Sequence, residues 1–418
     1  MHPFRSRGLR RLAVLALAPF LALSTTTASA QGVWVSVPPM PTARAHLAGA
    51  AAKCPQGFTS TCVYAVGGTE AFDVLEAYSP ASNTWISLPA MPTAREGITA
   101  TTAPCPNGVQ GDCLYTAGGV VPNTDAATTT VEAYSTATNT WITLPGLKTP
   151  RTLAASATGP CPEGLGLSGS CVYVFGGQDV NLKNYLTSVE AFSPKTGVWV
   201  TLAPLTTARA AHAGATAPCP AKSKHHGTCV YAIGGRNDSG KLKSVEVYSP
   251  TGNAWSHVPD MPTARDELAA SAAPCPDGMK NTCVYAMGGG DAANSLRTFE
   301  AYSPATNAWS TLPQLPTPHR GFAGATAPCP KNTKSPCVYA AGGALVGAAS
   351  PTGATEAFAI EWQSNGTGGN GNGNGNGKHD NNGNGSGGNG GNGGHHDEDA
   401  ATVAVLPPVT EPPADARP

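Results

Sequence analysis

The feature that most constrains the fold of this chain is one segment that returns six times. Each copy has an arginine, a strand of small residues, a Cys-Pro pair, a second cysteine, an apolar strand ending in two glycines, a Glu-x-aromatic strand and a tryptophan. The arginines that we take as markers, spaced by 51, 56, 58, 56 and 55 residues, are Arg44, Arg95, Arg151, Arg209, Arg265 and Arg320. A period of this length predicts a propeller or an array, because each unit buries its apolar surface against its neighbours.

Each unit divides into four strands, which we name a, b, c and d. Examples are REGITATTA for strand a, CVYAVGG for b, VLEAYSP for c and NTWISLP for d. The glycine pair ends strand b, where the backbone must turn or approach another segment closely. One four-stranded antiparallel sheet per repeat, arranged radially, is a propeller blade.

The two ends of the repeat indicate how the ring closes. Trp34 stands ten residues before Arg44, which is the usual gap between strand d and the next arginine, so GVWVSVP is a strand d without its own a, b and c. In the last unit Glu356 precedes Trp362 by only six residues, and the turn before strand d is missing. We therefore predict an all-β propeller of six blades in which the N-terminal strand completes the last blade and hides its edges.

These units resemble the kelch family. The stretch VYAVGGTEAFDVLEAYSPASNTWISLPAMPTAR combines the apolar strand, the double glycine, Glu-x-Tyr and the tryptophan of a kelch unit, and the likeness extends over nearly all of Trp34 to Phe358. It implies a six-bladed kelch-type propeller of the galactose oxidase/kelch-like superfamily. It does not imply one function, because this fold carries many unrelated ones.

All twelve cysteines fall in the repeats, one pair in each unit. Each pair flanks the turn between strands a and b, where antiparallel neighbours lie within bridging distance. A zinc site needs four clustered ligands, whereas each of these pairs belongs to its own blade, and redox activity would favour one special pair. We predict no metal site and six hairpin disulfides: Cys54–Cys62, Cys105–Cys113, Cys161–Cys171, Cys219–Cys229, Cys275–Cys283 and Cys329–Cys337.

The two ends of the chain differ from the repeats. Residues 1–30 combine arginines, a short apolar run and Ala28-Ser29-Ala30, the pattern of a secretory signal peptide that is cleaved after Ala30. The apolar run is too short to span a membrane. We expect a secreted protein, extracellular or periplasmic, with its propeller at 31–362. Residues 363–418 are Gly/Asn-rich and then proline-rich, and we expect them to be disordered.

Residues that vary between units are the candidates for function. The repeated arginines, tryptophans and strand-c glutamates (Glu76, Glu132, Glu190, Glu246, Glu300 and Glu356) are expected to serve the scaffold. The b–c and d–a loops of a propeller share one face around the central channel, and convergent polar groups there are the default binding site. The predicted binding-face residues are His46, Glu96, Asp179, His212, Arg236, Asn237, Asp266, Glu267, Asp291 and His319.

The net charge of -1, with 12% charged residues, gives no basic field for nucleic acid or acidic membranes. We expect a monomeric binding module without a cofactor that recognises an extracellular protein or glycan. Catalysis is not assigned, but two alternatives stay open. One is a carbohydrate-active enzyme, such as a sialic acid mutarotase-like isomerase with acid/base groups among Glu96, Glu267, His46 and His212. The other is a structural surface component. Copper chemistry like that of galactose oxidase is not expected, because every cysteine already belongs to a repeated pair.

Overall fold

A computed structural model describes residues 32–360, apart from 59, 107, 125, 222, 224, 277–280 and 346–349. The predicted signal peptide, the predicted tail and Trp362 lie outside the described residues. The described chain is all-β, as predicted, and it forms six four-stranded sheets and one two-stranded hairpin.

The strands, grouped by blade, follow in chain order. The N-terminal strand is β1 (Val33–Val37). Blade 1 contains β2 (Ala48–Lys53), β3 (Thr61–Val66), β4 (Leu75–Ser79) and β5 (Thr84–Leu88). Blade 2 contains β6 (Thr99–Pro104), β7 (Asp112–Ala117), β8 (Val131–Ser135) and β9 (Thr140–Leu144). Blade 3 contains β10 (Ala155–Pro160), β11 (Ser170–Phe175), β12 (Val189–Ser193) and β13 (Val198–Leu202).

Blade 4 contains β14 (Ala213–Pro218), β15 (Thr228–Ile233), the hairpin of β16 (Arg236–Asn237) and β17 (Gly240–Lys241), β18 (Val245–Ser249) and β19 (Ala254–Val258). Blade 5 contains β20 (Ala269–Pro274), β21 (Thr282–Met287), β22 (Phe299–Ser303) and β23 (Ala308–Thr311). Blade 6 contains β24 (Ala323–Cys329), β25 (Asn332–Ala341) and β26 (Thr355–Ala359).

The predicted ring closure is confirmed. The sheet of blade 6 has the order β1-β26-β25-β24, so its outermost strand comes from the start of the chain. Strand β1 pairs antiparallel with β26, and Trp34 lies opposite Phe358. First and last segments of the propeller thus share one sheet.

The composition of each strand follows from its place in the blade. Strands b and c lie in the middle of the blade with other blades on both faces, so they are buried along almost their whole length. Strand a lines the axis, where six strands converge and only small residues fit. A Cβ added to Gly49 would lie 2.5 Å from the Cβ of Ala323 in the neighbouring blade.

Buried ion pairs hold strand c to the connection that enters each blade. In five blades the marker arginine contacts the strand-c glutamate of its own blade, and every one of these side chains is at most 2% exposed. The pairs are Arg44–Glu76 (2.5 Å), Arg95–Glu132 (2.7 Å), Arg151–Glu190 (2.7 Å), Arg209–Glu246 (2.7 Å) and Arg265–Glu300 (2.5 Å). Removing one partner would leave a buried charge unpaired, so these residues serve the scaffold as predicted.

The sixth blade departs from this pattern. His319, and not Arg320, occupies the arginine position: its carbonyl accepts a hydrogen bond from Gly289 N (2.7 Å), and its Nδ1 bonds Gly342 O (2.7 Å). Its Nε2 lies 3.4 Å from the carboxylate of Glu356. The prediction that placed Arg320 in the scaffold and His319 on the binding face is therefore wrong, because His319 is fully buried.

Two further sets of repeated residues join the strands and the blades. The indole Nε1 of every strand-d tryptophan donates a hydrogen bond of 2.8–3.0 Å to a backbone carbonyl of the preceding blade. The pairs are Trp34–Pro313, Trp85–Pro38, Trp141–Pro89, Trp199–Pro145, Trp255–Ala203 and Trp309–Pro259. The six predicted cysteine pairs are each disulfide-bonded across their hairpins, with Cα–Cα separations of 4.8–4.9 Å.

Candidate functional site

The connections from strand d to strand a meet around the axis at the mouth of the channel. The second residue after each arginine position, which we call a ring residue, has a left-handed backbone with φ between 50° and 60°. The ring residues are His46, Gly97, Leu153, Ala211, Glu267 and Gly321. The N–H of each donates to the carbonyl of the ring residue in the preceding blade, at 2.7–3.0 Å. Six main-chain hydrogen bonds therefore close a circle at the mouth.

Above this circle lies a recess of about 290 Å³, which we call the mouth recess. Its lining comes from ring residues, from the residue before each of them and from the b–c loops. The side chains that line it are His46, Glu96, Val120, Thr152, Leu153, Gln178, Leu182, Arg236, Glu267 and Arg320. Charged groups from blades 4 to 6, together with His46 of blade 1, occupy one side. Blades 2 and 3 form the other side, which contains the apolar Val120, Leu153 and Leu182 and also the polar Glu96, Thr152 and Gln178.

Glu267 is the centre of the charged side. Arg320 binds it with two hydrogen bonds, Nε–Oε2 at 2.7 Å and Nη2–Oε1 at 2.8 Å, and Arg236 Nη1 lies 3.0 Å from Oε1. The Nε2 of His46 is 3.5 Å from Oε2. Burial alone would raise the pKa of Glu267, but His46 and Arg320 outweigh it and hold that pKa far below its usual range. The same contact with Glu267 raises the pKa of His46.

Asp266 lies beneath Arg236, which also contacts Glu267. Its Oδ2 accepts hydrogen bonds from Arg236 Nη1 at 2.7 Å and from Lys241 Nζ at 2.5 Å, and its side chain is 0% exposed. The cations above it are more open: the side chains of Arg236, Lys241 and Arg320 are 25–26% exposed. Solvent at this side of the mouth therefore meets mainly N–H groups, with the carboxylates below them.

The apolar side of the recess is formed by Val120, Leu153 and Leu182. Val180, on the b–c loop of blade 3, is 39% exposed beside it. Leu153 and Leu182 both have left-handed φ values, 50° and 57°, a strained conformation for leucine.

Three other predicted residues shape loops. The carboxylate of Asp179 accepts hydrogen bonds from Lys183 N, Asn184 N and Asn184 Nδ2. Asp291 Oδ1 accepts from the N–H groups of Ala293 and Asn294, which lower its pKa. The amide of Asn237 donates to Ala208 O (3.0 Å) and accepts from Ser239 N. These hydrogen bonds fix turns at the rim, so Asp179, Asn237 and Asp291 lie outside the recess.

His212 does not lie at the mouth of the channel, where the sequence placed it. It is 5% exposed, and its ring packs against Phe175 with ring centres 5.5 Å apart, one layer below the ring residues. Neither ring nitrogen has a hydrogen-bond partner among the described residues. Burial, then Arg209 and Arg151, lower its pKa well below 6.5 and keep it neutral. Its counterparts in the five other blades are all apolar: Leu47, Ile98, Ala154, Leu268 and Phe322.

Sequence reasoning therefore found part of the site and missed part of it. It placed His46, Glu96, Arg236, Asp266 and Glu267 together, and the structure gathers them at the mouth. It missed Arg320, although the sequence held a signal, because Trp309 precedes His319 by ten residues and Arg320 by eleven. It also missed Lys241, Leu153 and Leu182, which carry no pattern that separates them from other loop residues.

Within the described part of the chain, no group of three or more His, Cys, Asp or Glu side chains is arranged to hold a metal ion. No helix in the same residues is long and apolar enough to cross a membrane.

Comparisons with known proteins agree on the repeat. The Kelch motif matches residues 57–92, 101–148, 164–206, 218–262 and 275–316, more than half of the chain. The Kelch-like protein terF of Aspergillus terreus is 27% identical over 249 residues, which cover 55% of this chain and 48% of that protein. Kelch-like protein 36 of Mus musculus is 27% identical over 259 residues, which cover 60% of this chain and 36% of that protein. The matched region is thus about half or less of these relatives.

The solved structure of YjhT resembles this fold with a TM-score of 0.56 and 16% identity, over 76% of this chain and 95% of that one. At this identity the likeness concerns the fold alone.

Proposed function

Because this chain belongs to the kelch-repeat family, whose propellers are generally protein-interaction modules, we propose that it is a protein-binding module that holds its partner at the mouth recess. The observation that carries the proposal is the recess itself. It gathers side chains that differ from blade to blade, while the repeated residues are buried in the scaffold. Binding residues concentrate on loops that a rigid scaffold positions.

The recess has a charged side and an apolar side, and this combination supports a binding site over an ordinary solvated rim. A partner that covers the mouth can bury the apolar groups Val180, Leu153 and Leu182, and it can pair with the charged groups of blades 4 to 6. A few well-buried anchor residues supply most of the affinity of an interface, and charge complementarity adds specificity and speed of association.

The environment of the candidate acid/base groups favours binding over proton transfer. A general acid or base works best with a pKa near the working pH. Glu267 is held ionised by His46 and Arg320, and His212 is buried below the mouth. Of the four candidates, these two are therefore poorly suited to carry a proton.

We also propose that the protein works outside the cytosol. The signal-peptide pattern at residues 1–30 supports this location, and so do the six disulfides, since such bonds persist in oxidising compartments.

Site-specific photocrosslinking tests the binding face. The residue p-benzoylphenylalanine replaces Val180 at the mouth in one protein and Val198 on the outer strand of blade 3 in a control; both valines are exposed, by 39% and 49%. In native extract we expect a discrete adduct from position 180 alone, and the captured protein, once purified, should bind the unmodified chain. Equal adducts from both positions, or an adduct only from position 198, would contradict the proposal.

A further inference from the structure

We infer that the partner is anchored in the mouth recess by a single carboxylate side chain, bound by Arg236 and Arg320, with an apolar residue beside it. This inference rests on the proposed function and specifies the chemistry of the partner. It depends on how charge is layered at the mouth.

The layering puts positive charge outward. Arg236, Lys241 and Arg320 are about a quarter exposed, and His46 is 38% exposed, whereas Asp266 and Glu267 are 0% and 6% exposed. The buried carboxylates hold the guanidinium groups in place and do not themselves face the partner. An incoming group therefore meets a cationic surface whose geometry is already fixed, which lowers the cost of ordering it on binding.

Both arginines retain unused donors. Arg236 binds Asp266 and Glu267 through Nη1 alone, and Arg320 binds Glu267 through Nε and Nη2. No described residue accepts a hydrogen bond from Arg236 Nε or Nη2, or from Arg320 Nη1. Guanidinium N–H groups match the geometry of a carboxylate, which makes an acidic side chain the complementary group.

The size of the recess favours one anchoring side chain with its neighbour. At about 290 Å³ it lies at the lower limit of small-molecule sites. One wall is apolar, formed by Leu153 and Leu182, so a residue next to the carboxylate can bury apolar surface there. A loop of a folded protein or an extended peptide provides both groups a few ångströms apart.

Glu96 limits the anchor to one negative charge. It also lines the recess, from blade 2, and its buried Oε2 has no hydrogen-bond partner among the described residues. A second carboxylate on that side would be repelled, whereas a backbone N–H or a hydroxyl of the partner would satisfy this oxygen. We therefore expect an isolated acidic residue and not an acidic run.

Selection from random peptides displayed on phage tests this inference with the full-length protein. We expect the enriched peptides to share one Asp or Glu beside an apolar residue. Replacing that acid in the peptide by its amide should weaken binding to the wild-type protein about tenfold. The protein variant Arg236→Gln/Arg320→Gln should weaken binding as much. The matched control, Lys53→Gln/Lys195→Gln, removes the same charge from the opposite face and should leave binding intact.

The outcomes separate the two proposals. Peptides that crosslink to position 180 but lack an acid, or that bind the arginine variant equally well, overturn the carboxylate anchor and leave the binding module in place. If no peptides are enriched beyond those selected by an unrelated disulfide-bonded protein, the result counts against both the binding module and the carboxylate anchor. If the arginine variant melts early, the peptide amide series on the wild-type protein decides alone.

Discussion

His212 is the residue at which the sequence pattern and the local environment disagree most. A neutral imidazole, whose two nitrogens have no hydrogen-bond partner in the described part of the chain, occupies a position that holds an apolar side chain in all five other blades. Leaving buried polar atoms without hydrogen bonds costs about 1–3 kcal/mol. We therefore expect His212→Leu to stabilise the protein by roughly 1 kcal/mol at neutral pH.

The stabilisation by His212→Leu should grow as the pH falls. The pKa of His212 is lowered in the folded protein, so below the unfolded value of 6.5 the unfolded chain binds a proton that the folded chain does not. The wild type therefore loses stability as the pH falls through 6.5, and the variant lacks this loss. Urea unfolding at about pH 5 and about pH 8 measures the difference, with the exposed His226→Leu as a control. A difference that does not depend on pH would show that His212 is not neutral in the fold.

The ring residues store backbone strain that one substitution can release. Ala211 has φ of 52°, a left-handed conformation that costs about 1 kcal/mol for alanine and almost nothing for glycine. Ala211→Gly should therefore leave stability unchanged or raise it slightly. The control Ala213→Gly lies in strand β14, where glycine should cost about 1 kcal/mol. Thermal unfolding compares the two; equal losses would exclude strain at the ring.

Among the elements, blade 6 is the one in which the buried ion pair is incomplete. Glu356 Oε2 and His319 Nε2 have no hydrogen-bond partner among the described residues, although they lie 3.4 Å apart. His319→Arg would supply the guanidinium that the other five blades use. We expect it to raise the free energy of unfolding by about 1–2 kcal/mol, and we expect the reverse change in blade 5, Arg265→His, to lower it by about 3 kcal/mol. Chemical denaturation measures both, and a loss on His319→Arg would show that blade 6 is shaped around histidine.

At the level of elements, the sequence predicted the blades well because their local chemistry repeats. The c–d turn illustrates this: Asn83 and Asn253 have positive φ values and accept hydrogen bonds from the hydroxyls of Tyr78 and Tyr248. Blade 3 has Phe192 without a hydroxyl, and Gly197 takes the left-handed position. Short-range rules of this kind can be read from one sequence.

The candidate site was predicted less completely because its geometry is not local. Four of the six ring residues are not glycine, so nothing in the sequence marks the left-handed backbone there. That conformation is imposed by hydrogen bonds between blades. The b–c loops are held by main-chain pairs to residues that precede the ring residues, such as Glu96–Val120 and Thr152–Gln178. The apolar wall of the recess could therefore not be derived from loop composition.

At the scale of the whole molecule, stability depends on the strand that joins the two ends of the propeller. Deleting residues 1–37 removes β1, the bond from Trp34 to Pro313 O and the cover over the edge of β26. Trp34 is half-buried, so loss of its contacts alone should cost about 3 kcal/mol, the lower end of the range for a buried tryptophan, and the open edge should promote association.

Light scattering after size-exclusion chromatography, together with thermal unfolding, measures both effects. A control that lacks residues 1–31 retains β1 and should behave as the wild type does. If both truncated proteins melt alike and have the same mass, the N-terminal strand does not close the ring in solution.

The main-chain circle at the mouth has a consequence for variation. The bonds that close it belong to peptide groups, so the six side chains at these positions do not take part in closure. Glycine, alanine, leucine, histidine and glutamate all occur there within this one chain. The ring positions that already carry a side chain can therefore change their recognition chemistry, by evolution or by an engineer, while the main-chain frame stays the same. Gly97 is different, because an added Cβ would lie 2.4 Å from Thr152 Oγ1.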